Sequence, residues 1–264
     1  MHIQINELLK LSDLLIDECQ DFLVMIEFGK KVNTPDVQGL TPLHIAVQYG
    51  RTNAVDILIR LGANVQATAL DKRTLLHSAA FFAQDHIIEQ LCRKGADINA
   101  VDRYGLTPLI MAVQRDNIET IKTLVHHGAN VNDKNMWMTP LGVAANFNRV
   151  NAMKTLVELG AIIDLVNDDG VTPLYLASVA QRTNAIKTLG QLGANRDLCD
   201  KNGQTPLHIA IEHGRTDSVN ELINIGVDIH AKNYRGQTAL QIALEMKNSH
   251  IAAILLDRGA TLTA

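Results

Sequence analysis

Ten histidines and three cysteines are the residues of this 264-residue chain best suited to chemistry. An imidazole can move a proton or ligate a metal near neutral pH, and a thiolate can attack or bind zinc. Their spacing favours neither use. His126 and His127 are adjacent. Neighbours on a helix point about 100° apart, so the pair makes a poor chelate without help from elsewhere. Cys19, Cys92 and Cys199 are scattered and odd in number, with no Cys-x-x-Cys pair. That pattern reads as reduced, buried thiols in a cytoplasm rather than a disulfide framework or a zinc site. The phosphate-cradling Gly-x-x-x-x-Gly-Lys-[Ser/Thr] and the nucleophile elbow Gly-x-Ser-x-Gly are both missing. The acid pair Asp168 and Asp169 falls in a predicted turn, where solvated carboxylates are ordinary. No catalytic residue, metal or cofactor is therefore expected, and the chain is not read as an enzyme.

Three histidines share a local setting. His44, His77 and His208 each stand three residues after a threonine, in "TPLH", "TLLH" and "TPLH". The same position after Thr107, Thr139, Thr172 and Thr238 holds Ile110, Gly142, Tyr175 and Gln241, a variation that no catalytic role would permit. The seven threonines, Thr41, Thr74, Thr107, Thr139, Thr172, Thr205 and Thr238, are separated by 33, 33, 32, 33, 33 and 33 residues. A glycine follows each by 21 residues: Gly62, Gly95, Gly128, Gly160, Gly193, Gly226 and Gly259. Self-similarity at this period is the signature of a repeat architecture.

Each unit has a physical reading. Threonine can cap a helix by accepting from an orphan backbone N–H. Proline in the next place needs no N–H and has its φ preset, and five of the six prolines stand there. In the first unit Leu43 and Val47 share one helical face, Ala46 lets a neighbouring helix approach, and Gly50 is expected to end the helix. A second helix follows in "TNAVDILIRLG", closed by Gly62, and "ANVQATALDKR" returns the chain to the next threonine.

Composition agrees with a packed fold. The chain is 47% hydrophobic and 20% charged, with a net charge of −4. Residues 1–30 carry six acids against two bases, and the remainder is balanced. No basic stripe is present to track a phosphate backbone, so nucleic acid is not an expected partner. No run approaches about 18 apolar residues, and residues 1–25 lack a basic stretch followed by an apolar one, so neither membrane insertion nor a signal peptide is expected.

From Gly29 to Gly259 the chain resembles the ankyrin repeat family. The family's "DxxGxTPLHxA" is written as "DVQGLTPLHIA" (Asp36–Ala46), "DRYGLTPLIMA" (Asp102–Ala112) and "DKNGQTPLHIA" (Asp200–Ala210), and "GADINA" (Gly95–Ala100) fits its finger. The resemblance implies an all-α solenoid of helix-turn-helix units with β-hairpin-like finger loops. It gives a capping repeat over 1–33 and seven repeats over 34–264, in one continuous solenoid domain. It also implies that His44, His77 and His208 bond locally and tie adjacent units together. "LCRKGADINA" (Leu91–Ala100) is similar to the leucine-to-asparagine spacing accepted by an asparaginyl hydroxylase, which makes Asn99 a candidate for hydroxylation beside its ordinary structural reading.

In this fold the fingers and first helices line a concave face. The variable positions there fall four, three and one residues before each threonine and seven and eight after it. Tyr49, Phe81, Phe82, Tyr104, Phe147 and Tyr234 occupy them, with Arg103 and Arg115; Trp137 lies in the same stretch of the fourth finger. That is seven of the ten aromatics, in a chain whose core pattern is aliphatic. Aromatics and arginine dominate binding hot spots. Phe81 and Phe82 are adjacent, so one of them is expected to fill the groove between helices. The fourth finger is one residue short and places Trp137, between Met136 and Met138, at the usual glycine position. This altered tip is either a collapsed loop or a partner contact. In the last unit Ala253 and Ile254 replace the Asn220 and Glu221 of the sixth, leaving an apolar outer face.

The resemblance implies a non-catalytic protein-recognition module, an adaptor, inhibitor or scaffold that holds a protein partner on the concave face and is monomeric alone. The alternative is a recruiting module of a longer effector or enzyme, motivated by the last unit. A cytoplasmic location is expected, in the producing cell or in a host if the chain is a bacterial effector of ankyrin type.

Overall fold

The computed structural model describes residues 32–134 and 138–262. All but the last two residues of the expected capping repeat, together with Met136 and Trp137, lie outside the described residues. The chain divides into two compact units, Met1–Asn130 and Val131–Ala264. The described residues hold fourteen helices and no strand beyond the isolated bridges Thr68–Thr74 and Lys232–Thr238.

The described residues of unit one hold three helix pairs: α1 (Pro42–Gln48) with α2 (Thr52–Arg60), α3 (Leu75–Phe81) with α4 (Asp85–Arg93), and α5 (Pro108–Gln114) with α6 (Ile118–His126). Unit two contains four: α7 (Pro140–Asn146) with α8 (Val150–Glu158), α9 (Pro173–Val179) with α10 (Thr183–Gln191), α11 (Pro206–Glu212) with α12 (Thr216–Asn224), and α13 (Ala239–Glu245) with α14 (Ser249–Asp257). Within each unit, each first helix packs on the next first helix, and each second helix on the next second helix.

Every repeat-start threonine is the N-cap of a first helix, in extended conformation. Thr139 Oγ1 accepts from Gly142 N at 3.0 Å and Thr172 Oγ1 from Tyr175 N at 3.1 Å, each satisfying one of the orphan donors at a helix start. The seven alanines five residues after the threonines, Ala46 to Ala243, are wholly buried. Their lack of bulk sets the close approach of stacked helices, and Leu43, Leu76, Leu109, Leu141, Leu174, Leu207 and Leu240 fill the space beside them. Full burial of a leucine contributes about 1.5–3 kcal/mol relative to exposure, so this layer contributes substantially to cohesion.

Both helices of a repeat close with the same device. At the end of α1, Arg51 N donates to Ala46 O (2.9 Å) and Gly50 N to Val47 O (3.0 Å), with Gly50 at φ +68°. That is the paired bond of a Schellman turn. The glycines 21 residues after each threonine close the second helices as expected, whereas at the end of the first helices glycine stands only at Gly50 and Gly214. Ala83, Asp116, Asn148, Gln181 and Lys247 occupy the same turn with φ between +55° and +57°. A non-glycine residue resists this region by about 1–2 kcal/mol. The buried helices on either side hold the backbone there regardless.

The "DxxGxT" signature builds the fingers. Asp36 Oδ1 accepts from Gln38 N (2.8 Å) and Leu40 N (2.9 Å), and Asp102, Asn167, Asp200 and Asn233 do the same in their own fingers. Successive tips are joined by backbone bonds, Leu70 N to Gln38 O and Arg103 N to Asp71 O in unit one, and Lys201 N to Asp169 O and Tyr234 N to Asn202 O in unit two. The leading tip residue lies across the glycine before it. A Cβ on Gly39 would sit 2.9 Å from Leu70 N, and one on Gly203 would strike the Tyr234 ring.

Candidate functional site: the exposed faces of the fingers and first helices

The histidines are construction. His77 Nδ1 accepts from Thr74 N at 3.1 Å, which leaves the proton on Nε2, and Nε2 donates to Leu106 O in the following finger at 2.8 Å. His208 repeats this with Thr205 N (3.1 Å) and Ala231 O (3.1 Å). His44 makes the same bond to Thr41 N at 3.1 Å, but its buried Nε2 has no partner at hydrogen-bond geometry, although the Arg73 carbonyl stands where Leu106 O stands for His77. Burial holds all three imidazoles below their ordinary pKa, against the opposing pull of nearby carbonyls and carboxylates. Tyr175, in the same place, donates its hydroxyl to Asp200 Oδ2 at 3.2 Å; burial, then the Asp200 carboxylate, push the phenol upward. The His126 and His127 rings sit edge to face at 5.5 Å, and among the described residues no three His, Cys, Asp or Glu side chains converge as a metal would need.

In unit one the sequence-selected residues come together on the first helices and fingers. Tyr49, Phe82 and Arg115 are the C-cap residues of α1, α3 and α5. Phe81 and Phe82 were expected to divide between groove and surface. They instead splay edge to face, 5.0 Å apart, and remain 38% and 42% exposed. Both rings reach solvent because they lie at the helix end, where the chain turns away through left-handed Ala83. The Arg115 guanidinium covers the Phe81 ring at 4.8 Å. Tyr104 is 60% exposed on the finger, beside exposed Arg103. A groove of about 220 Å³ opens here, with Leu40, Gln48, Phe81 and Phe82 in its walls. Arg73 crosses it, 3.4 Å from Asp71 and 3.5 Å from the buried carboxylate of Asp102.

Sequence reasoning missed two residues of this face. Val37 and Leu70 lead their finger tips and are 94% and 72% exposed. Their register, four residues before the threonine, is the signal that would have found them; attention to aromatics alone passed over it.

In unit two Phe147 is the exposed C-cap of α7. The later repeats present a different surface, an open pocket of about 550 Å³ bordered by Lys201, Gln204, Glu212, Tyr234 and Arg235. Gln204 Nε2 donates to Glu212 Oε1 at 2.5 Å, and Gln237 Nε2 repeats the bond to the Glu245 carboxylate at 2.7 and 2.8 Å. In the last repeat Ala253 is exposed, Ile254 half-buried and Leu256 exposed.

Asn99 has a structural use. Its carboxamide donates to Gly128 O (3.3 Å) and accepts from Asn130 N (2.9 Å). Asn33 makes the equivalent pair with Gly62 O and Asn64 N, and Asn132, in unit two, with Gly160 O and Ile162 N.

Stacked helix pairs, capped by threonine and linked by fingers, define a repeat protein whose surfaces outside the core are open to other molecules. The chain belongs to the ankyrin repeat family. The family model "Ankyrin repeats (3 copies)" matches residues 63–135, 135–197 and 181–264, and "Ankyrin repeat" matches 38–69. Among solved structures, the human ASB11 ankyrin repeat domain is similar, with a TM-score of 0.73 and 28% identity over 85% of this chain and 100% of that one. No curated protein matches. Ankyrin repeats are in general protein–protein interaction modules, and the fold is typically non-catalytic. Among the described residues, no helix is long and apolar enough to cross a membrane.

Proposed function

We propose that the chain is a non-catalytic recognition module, acting as an adaptor, inhibitor or scaffold, that holds a partner protein on the concave face formed by fingers and first helices. One observation carries this reading. The core is almost wholly aliphatic, while in unit one Tyr49, Phe81, Phe82 and Tyr104, and in unit two Phe147, stand exposed on the fingers and first-helix ends. A ring left in water forgoes the burial that the core gives Leu and Ile, so its placement is explained by burial against something else. Arg103, Arg115 and, beyond the described residues, Met136 and Trp137 belong to the same proposed surface. The chain alone is a monomer in this reading and works in a cytoplasm. An affinity capture with the intact chain, set against a variant carrying alanine at Tyr49, Phe82, Tyr104 and Phe147, tests it. Specific partners should be lost from the variant while its melting temperature stays near that of the parent. Retention of the same partners by a folded variant moves the binding surface elsewhere.

A further inference from the structure

The groove of unit one has a charge pattern as well as an apolar one. Its one lining carboxylate, Asp71, is engaged by a neighbour in the fold: Oδ1 accepts from Arg73 N at 3.1 Å and Oδ2 faces Arg73 Nε at 3.4 Å. Arg73 is in turn shared with the buried Asp102. Two exposed arginines border the groove and have no ion pair among the described residues. Arg115 is held at its edge by stacking on Phe81, and Arg103 is fixed by its backbone N–H to Asp71 O at 2.8 Å. A guanidinium held over a ring face by cation–π attraction still has N–H groups with which it can grip a carboxylate as a fork. The aromatic walls between these two charges favour an apolar side chain.

Resting on the concave-face reading above, we propose that this groove takes a peptide segment in which an apolar side chain is flanked by carboxylates. The apolar anchor enters between Phe81 and Phe82 and the Leu40 wall. The carboxylates meet Arg115 and Arg103. Unit two differs in charge: beside Phe147 and Tyr234, its corresponding positions hold Asp168, Asp169, Glu212 and Glu245 against Lys201 and Arg235.

The test uses the full chain and a displayed library of random twelve-residue peptides. The expected selection is peptides with Leu, Ile, Phe or Trp next to Asp or Glu. A synthetic copy of the dominant peptide should then bind the parent at least about thirtyfold more tightly than Arg115→Glu, Arg103→Glu or Phe82→Ala, a loss of hot-spot size. Arg115→Lys should recover part of the affinity, and raised salt should weaken binding of the parent. Thermal melts near the parent value certify that each variant is folded, and Arg103→Glu, at an exposed finger tip, serves if another variant fails. Peptides lacking carboxylates whose binding still depends on Phe82 would overturn the acidic assignment and leave concave docking standing. Peptides bound equally by folded Phe82→Ala and Arg115→Glu, or no enrichment at all, would overturn both. A single-stranded oligothymidine that displaced the peptide in a Phe82-dependent way would reassign the groove to nucleic acid.

Discussion

Acid should destabilise this protein well before its carboxylates protonate. His44, His77 and His208 are each 1% exposed and their pKa values are lowered in the folded state, chiefly by burial. The unfolded chain therefore binds protons more readily, near the ordinary imidazole value of about 6.5. Stability from these groups is fully present above that pH and is lost as pH falls below it, until the folded pKa is reached. One pH unit corresponds to about 1.4 kcal/mol per group. Moving from pH 7.5 to 5.5 therefore lowers stability, with a ceiling of about 1.4 kcal/mol per histidine set by protonation of the unfolded chain. Protonation also places a hydrogen on Nδ1, where Thr41, Thr74 and Thr205 donate their N–H, so the caps are opposed as well. The last repeat supplies a non-titrating control, because Gln241 Oε1 accepts from Thr238 N at 2.8 Å in the same place. Urea or thermal unfolding of the parent and of the His44→Gln, His77→Gln, His208→Gln variant should be measured at both pH values. The parent should lose stability, more in unit one, which holds two of the three histidines, and the variant should lose much less. An equal slope in both proteins would refute the argument.

Leu141→Ala, at a side chain 1% exposed in α7, should cost about 2–5 kcal/mol and accelerate hydrogen exchange in α9, which packs on it; unchanged exchange in α9 would contradict nearest-neighbour cohesion. Lys247→Gly should relieve an exposed left-handed residue at φ +55° and stabilise unit two by up to about 1.5 kcal/mol, the balance of about 1–2 kcal/mol of strain and about 0.5–1 kcal/mol of glycine entropy; a lower urea midpoint would disprove this. Stoichiometric zinc or a chelator should leave the melting temperature unchanged, whereas a zinc-dependent rise of several degrees would restore His126 and His127 as ligands.

The repeat, its caps and its closing turns were readable from the chain because they are short-range. A threonine three residues before its acceptor, a proline after it and a glycine 21 residues on act within one unit, and their regular recurrence announced the helix pairs. So did the aspartate of "DxxGxT", whose carboxylate reaches only the next four residues. The left-handed turn at Ala83, Gln181 and Lys247 was not readable, because local preference opposes it and only packed neighbours impose it. Exposure was partly readable. Tyr49, Tyr104 and Phe147 stood where their register placed them, whereas Phe81 and Phe82 both reached solvent and Val37 and Leu70 went unnoticed. The fate of those side chains depends on the direction of a helix end and on a finger about thirty residues away in sequence, as Leu70 lying over Gly39 illustrates. The same distance separates His77 from Leu106 O, its partner in the next finger. Residue type and spacing determined which side chains could do each job. Which of them found a partner was decided by tertiary packing, because a hydrogen bond or a stacked ring depends on tenths of an ångström that no repeat pattern encodes.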